Sequence, residues 1–208
     1  MLDDGIVKPH PPILRAMETL ISKLGDNHSI SIVPFPPHKH ADAWRIISSL
    51  YFSDGAAEEK AAIDASSEPM RPMSDFIITD NPNVKALSLA EVWKLTSERE
   101  AYKAEYARHW NSAGTDLPGP SSGDTLGVTA ASKEDSIVDV LLCPVGPGCA
   151  PPLDCARYWG YTAQWNLLDY PALVFPTGLQ CGPEDAKEEN YEPRNEYDNY
   201  NYGLCELC

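Results

Sequence analysis

Two short apolar runs, each closed by a proline, constrain the fold of this chain more than any other feature of its sequence. Residues 137–142 read Ile-Val-Asp-Val-Leu-Leu, and residues 172–175 read Ala-Leu-Val-Phe. Runs of this length that are bounded by proline and rich in branched side chains are typical of strands buried on both faces. A helical pattern over residues 158–168 lies between them. The sequence therefore predicts an α/β fold, with helices covering both faces of a sheet.

Further helices and one further strand are predicted from residues outside these two runs. A helix is predicted from Pro11, because proline is tolerated at the first helical position and an apolar stripe at helical spacing follows it. A strand is expected at residues 30–33, and a further helix from about His40. Ser88, with Glu91 three positions later, forms the pattern of a capping box, in which each side chain accepts a hydrogen bond from a backbone N–H at the helix start.

Composition and charge narrow the class of protein. The chain has 208 residues, 43% of them hydrophobic and 23% charged, which fits one soluble globular domain. Its formal net charge is −15, and a surface this acidic repels phosphate backbones and anionic lipids. No run approaches the roughly 20 apolar residues of a membrane-spanning helix, and the charged opening residues contain no readable signal peptide. We expect a cytoplasmic protein with neither nucleic acid nor membrane as a partner.

Six cysteines fall in the last third of the chain, and three roles are open to them. An even number indicates disulfides mainly in small secreted proteins. The terminal pair has C-x-x-C spacing, but a structural zinc site requires a second pair of ligands at a suitable distance. Reduced thiols, some of them in the core, are the favoured interpretation, and we expect no metal and no cofactor. The six are Cys143, Cys149, Cys155, Cys181, Cys205 and Cys208.

Three other groups of side chains were candidates for chemistry. His38 and His40 would share one face of a strand but not of a helix, and no third metal ligand accompanies them. Cys143 ends a predicted buried strand, where α/β enzymes place active groups, yet the sequence names no partnering base. Ser121 and Ser122 lie beside glycines, in a stretch more typical of a flexible loop.

Several stretches resemble, in the same order, fungal acetamidase-like members of the amidase signature family. The resemblance implies a mixed central sheet flanked by helices on both faces, present here only in part. It also implies one partial amidase domain over residues 1–208, with a Gly/Ser/Pro-rich insertion at 111–136 and an acidic, tyrosine-rich tail at 179–208. The matching stretches are DDGIVKPHPP (3–12), DVLLCPVGPG (139–148), YWGYT (158–162), WNLLDYPALVFP (165–176), YEPRNE (191–196) and YNY (200–202).

The resemblance also implies a catalytic mechanism. The family hydrolyses carboxamides through an acyl-serine intermediate, and a second serine and a lysine move the proton. The matching stretches begin in the middle of such a protein, so this Ser-Ser-Lys set would precede Met1. The family also continues beyond Cys208, so we expect a piece of the C-terminal half that lacks both ends. The sequence therefore predicts no catalytic residue in this chain and leaves the substrate-binding residues unknown.

Two functions from different classes remain open at this point. The chain is either part of an amidase that is inactive by itself, or a binding or regulatory partner of a complete amidase or of the missing half of the domain. An incomplete sheet would expose strand edges and apolar faces that favour association. Zinc binding through Cys205 and Cys208 is a third, less favoured hypothesis.

Overall fold

Helices carry nearly all of the regular structure in the computed structural model, which describes residues 1–113 and 137–207. None of the helices in these ranges is long and apolar enough to cross a lipid bilayer. Two short 3₁₀ helices, Pro183–Asp185 and Leu204–Leu207, lie near the end of the described chain. The α-helices of the described residues are α1 (Pro11–Gly25), α2 (His40–Tyr51), α3 (Ala57–Ser66), α4 (Pro72–Ile78), α5 (Leu89–Ser112), α6 (Gly160–Leu168) and α7 (Glu196–Gly203).

Helix starts with local signals are confirmed. Helix α1 begins with proline in its first turn, and the helix expected from about His40 is α2. At the start of α5, the Glu91 N–H donates to the Ser88 hydroxyl at 3.3 Å, and the Ser88 N–H donates to the Glu91 carboxylate at 2.8 Å. This reciprocal pair satisfies N–H groups that the first turn of a helix leaves without intrahelical partners. The pattern over residues 158–168 corresponds to α6.

The main core forms where α2 packs against α5 and α6. Ile46 of α2, Tyr106 of α5 and Leu167 of α6 are buried together in one apolar cluster. Burying a side chain of this size contributes about 1.5–3 kcal/mol to folding, so the helix contacts stabilise this part of the chain. A second, smaller cluster joins Ile77 and Ile78 of α4 to Ala56.

Two buried tyrosines of α5 differ in the hydrogen bonds that their hydroxyl groups make. The Tyr102 hydroxyl donates to the backbone carbonyl of His38 at 2.7 Å and accepts from the side-chain amide of Gln164 at 2.8 Å. The Tyr106 hydroxyl is also buried, but it has no hydrogen-bond partner among the described residues. Burial raises the pKa of both phenols, so both remain neutral at physiological pH.

The predicted sheet is wrong for this chain. Within the described residues the only strand pairing is an isolated antiparallel bridge between Asp54 and Ala86. Residues 30–33, 137–142 and 172–175, which were predicted as strands, lie outside any helix or strand. A strand exists only when a neighbouring strand pairs with its backbone N–H and C=O groups, and no described segment does so here. Apolar composition indicates a tendency to be buried, but it does not supply that neighbour.

Candidate functional site

A large apolar groove is the most distinctive surface of the described structure. It has a volume of about 1100 Å³, and it runs between α1 and the two segments that were predicted as strands. Ile13 and Leu20 of α1 line one side, and residues 139–145, residues 170–175 and Thr177 line the others. We call this surface the apolar groove. The α1 stripe that the sequence marked as apolar is therefore turned toward an open surface, and of its residues only Met17 is fully buried.

Apolar side chains next to and within the apolar groove are unusually exposed. Val140 is 81% exposed, Leu173 is 87% exposed and Val174 is 70% exposed. Single exposed apolar residues are common on protein surfaces, but a contiguous apolar patch marks a place where another surface binds. The expectation that residues 137–142 and 172–175 are buried was therefore also wrong, for the same reason as the expectation that they are strands.

The candidate histidines lie together, although not as a metal site. The His38 and His109 rings stack with centroids 5.0 Å apart, while His40 is buried at the start of α2. Burial, with the two neighbouring imidazoles, lowers the pKa of His40 to about 4. In the part of the chain that the structure describes, no group of three or more His, Cys, Asp or Glu side chains could hold a metal ion. His38 and His109 instead lie beside Tyr106 of the main core, with ring centroids 6.1 and 6.0 Å from its ring.

Among the remaining candidates, Cys143 lies within the described residues, and its surroundings do not activate it as a nucleophile. Cys143 is partly buried, and this burial raises the pKa of its thiol, which disfavours the reactive thiolate. Ser121 and Ser122 lie outside the described residues, as does most of the segment 111–136. Cys208 also lies outside them, so the structure does not test zinc binding by the terminal pair.

Two buried carboxylates, which the sequence analysis did not single out, fix the opening residues. The first is Asp4, which accepts hydrogen bonds from the backbone N–H groups of Ile6 at 2.8 Å and Val7 at 3.0 Å, and from the Tyr158 hydroxyl. Tyr161 of α6 donates to the Val7 carbonyl at 2.7 Å. The first two bonds form the local turn that the Asp-Asp-Gly pattern indicates. The tyrosine partners lie more than 150 residues away, beyond the reach of any local pattern.

The second carboxylate is Asp198 in α7. It accepts from the backbone N–H groups of Lys8 and Arg194, each at 2.9 Å, and from the Tyr191 hydroxyl. The Arg194 guanidinium in turn makes a bidentate ion pair with Asp3, with N–O distances of 2.7 and 2.8 Å. Several bonds to one buried carboxylate compensate for the water it loses on burial. The opening residues and residues 191–198 are thereby held together.

His10 completes this set of contacts, which we call the N-terminal anchor (residues 3–10 with their partners). Its Nε2 lies 2.8 Å from the Asn201 carbonyl oxygen, and its backbone N–H donates to the Pro147 carbonyl at 2.6 Å. A Cβ added at Gly148 would lie 2.6 Å from His10 Nδ1, so only glycine fits at this close approach. The resembling stretches at 3–12, 191–196 and 200–202 thus meet in space.

Comparison with known proteins agrees with this geometry at the level of fold. The chain superimposes on a solved structure of fatty acid amide hydrolase with a TM-score of 0.80 at 24% identity, over 97% of this chain and 32% of that one. The chain therefore shares the fold of one portion of that protein.

Sequence comparison then identifies the family. The family model described as Amidase matches residues 1–194. A Schizosaccharomyces pombe protein that carries the word amidase in its name is 38% identical over 97% of this chain, and the acetamidase of Emericella nidulans is 33% identical over 94% of it. The chain belongs to the amidase signature family, as its resemblance predicted. It spans about a third of the length of these two fungal relatives, 33% and 32% respectively.

Proposed function

We propose that this chain is one part of an acetamidase-like carboxamide hydrolase and that it supplies packing surface and not the Ser-Ser-Lys set. In this proposal residues 1–208 form a single partial domain, with the insertion at 111–136 and the acidic tail at 179–208. Family membership and a length of about a third of the fungal relatives support it. The single observation that carries it is the apolar groove, which leaves a hydrophobic surface without a cover inside the described chain.

Contact with another portion of an amidase domain explains why these segments are apolar and yet exposed. Residues 137–142 and 172–175 are rich in large apolar side chains, and several of these are exposed in the described chain. Covering side chains such as Leu173 and Val174 would remove their apolar area from water, which favours association. The groove therefore fits the remaining portion of an amidase domain as its occupant.

The catalytic part of the proposal is tested by an activity assay. The purified chain is incubated with acetamide and with benzamide, and released ammonia is measured. We expect no release above the rate without protein, because the acyl-serine chemistry needs residues that this chain is predicted to lack. Turnover that a serine-directed covalent inhibitor abolishes would overturn the proposal. A complete fungal acetamidase, assayed in parallel, serves as the positive control.

A second candidate function, a non-catalytic partner of a complete amidase, rests on the same groove. A tagged chain is co-expressed with a complete amidase, and the stoichiometry of the purified complex is measured. Leu173→Glu should prevent association, because it places a charge on the groove. Leu89→Glu is the matched control, since Leu89 is also an exposed leucine but lies on α5 outside the groove. Equal retention of both variants, or no complex with the unchanged chain, would exclude this function.

A cytoplasmic location belongs to the same proposal. It is supported by Cys143, Cys155 and Cys181, which carry reduced thiols in the structure, because the cytosol keeps thiols reduced. Fluorescence microscopy of the tagged chain tests it, and fluorescence confined to a secretory compartment would contradict it.

A further inference from the structure

Two cysteines from distant parts of the chain meet at the protein surface. The Sγ atoms of Cys149 and Cys181 lie 3.1 Å apart, although 32 positions separate the residues in sequence. Cys181 is exposed and Cys149 is partly exposed, so a small molecule in solution can reach the pair. At this distance the two sulfurs are not bonded to each other, because an S–S bond is about 2 Å long.

Contacts with α1 hold both sides of this meeting point. On the side of Cys149, the Pro147 carbonyl accepts from the backbone N–H of His10, the residue that precedes α1. On the side of Cys181, Arg15 of α1 donates to the Gln180 carbonyl at 2.8 Å. The same guanidinium forms a bidentate ion pair with Asp185, with N–O distances of 2.6 and 2.7 Å. The segments that carry the two thiols are therefore both held at the start of α1.

We propose that Cys149 and Cys181 are a reversible dithiol–disulfide pair that reacts with a small-molecule disulfide such as oxidised glutathione. One cysteine, as its thiolate, attacks a sulfur of the small disulfide, forms a mixed disulfide and releases one reduced thiol. The second cysteine then attacks the protein sulfur of the mixed disulfide and releases the other half as a second thiol. The protein loses two electrons and two protons, and the small disulfide gains both.

Two of the other described cysteines are less suited to this reaction. Cys205 is buried, and the raised pKa of the Cys143 thiol lowers its thiolate fraction. Cys149 and Cys181 combine access with proximity to a second sulfur, which is the arrangement of labile, regulatory disulfides.

Oxidation would link the ends of two walls of the apolar groove. Val145 closes one wall four positions before Cys149, and Thr177 closes the other four positions before Cys181. A disulfide would therefore limit how far these walls can separate. The pairing of the thiols does not depend on what the groove binds, so this inference stands apart from the proposed function.

Peptide mapping of the full chain tests the pair directly. The folded chain is incubated with oxidised glutathione, remaining thiols are blocked with an alkylating agent, and trypsin digestion is followed by mass spectrometry without reductant. Cleavage after Lys133, Arg157 and Lys187 yields residues 134–157, with three cysteines, and residues 158–187, with Cys181 as their single cysteine. We expect these two peptides to be joined, and to separate after treatment with dithiothreitol.

Matched variants assign the link to one cysteine. Cys149→Ser should abolish the joined peptide, whereas Cys143→Ser and Cys155→Ser should retain it. In the chain unfolded in urea, Cys181 should lose its preference and pair with several cysteines, which shows that the native fold selects the partner. Recovery of Cys181 as the alkylated thiol in the folded chain would overturn the proposal. So would a joined peptide of equal yield in Cys149→Ser, or the same pairing pattern in the folded and unfolded chains.

Discussion

Replacing His40 with phenylalanine should remove much of the acid sensitivity of this fold. His40 is 4% exposed at the start of α2, and neither of its ring nitrogens has a hydrogen-bond partner among the described residues. A protonated imidazole would be a desolvated cation in that place, next to the positive end of the helix dipole. Burial, together with His38 and His109, lowers the pKa of His40 to about 4, and the opposing effect of Asp3 is smaller.

The size of the effect follows from the two pKa values. In the unfolded chain the pKa of a histidine is about 6.5, and the gap to a folded value of about 4 corresponds to about 3 kcal/mol. Because the folded pKa is the lower one, the unfolded chain takes up the proton first as the pH falls. The stabilising contribution of neutral His40 is therefore fully present above about pH 6.5. It is lost progressively between about pH 6.5 and pH 4.

Urea unfolding followed by tryptophan fluorescence measures this dependence. The free energy of unfolding is determined between about pH 7.5 and pH 4 for the unchanged chain and for His40→Phe, and the difference is plotted against pH. Burial also lowers the pKa of His10 and His38, but both chains share these residues, so their effects cancel. We expect the difference to shift by about 3 kcal/mol in favour of His40→Phe at the acidic end.

An exposed histidine provides the control. His28→Phe changes the same residue type at the surface, and it should leave the pH dependence of unfolding as it is in the unchanged chain. A difference between the unchanged chain and His40→Phe that stays constant across the pH range would refute the argument, because it would show that burial of His40 does not favour its neutral form.

Two further pairs of variants test close packing and hydrogen bonding, each by the urea midpoint at neutral pH. Gly148→Ala should destabilise the fold by about 1–3 kcal/mol, because its Cβ would lie 2.6 Å from His10 Nδ1. Gly146→Ala should cost little, because its Cβ would meet nothing within 4 Å. Equal effects of the two substitutions would contradict this reasoning. Tyr102→Phe should cost about 1–3 kcal/mol because it leaves the half-buried His38 carbonyl and the buried Gln164 amide without this partner, whereas Tyr106→Phe should be neutral or slightly stabilising. A larger loss for Tyr106→Phe would reverse that interpretation.

Local signals account for the parts of the fold that the sequence predicted. The capping box of Ser88 and Glu91, the proline start of α1 and the pattern that became α6 each depend on residues within a turn or two of one another. The prediction of strands at residues 137–142 and 172–175 was wrong because a strand must pair with a second segment. The composition of a segment does not identify that partner.

The candidate site could be predicted from the sequence only in part, for a related reason. The sequence marked the apolar face of α1 through Ile13 and Leu20, but it could not tell a core from an uncovered groove, because both need the same side chains. The carboxylates Asp4 and Asp198 were missed because their tyrosine and backbone partners include residues far along the chain. Family resemblance identified the stretches that contain them without indicating what they contact.

The N-terminal anchor also sets the order in which the fold can be completed during synthesis. The bond between the Lys8 N–H and Asp198 spans 190 positions, and the contact between His10 and Asn201 spans 191. At a translation rate of about 5–20 residues per second, roughly 10–40 s separate the appearance of the two partners. Helix α1 therefore leaves the ribosome well before Asp198 and Asn201, and the contacts that dock its first turn form only after they appear. Its apolar face is available to chaperones during this interval.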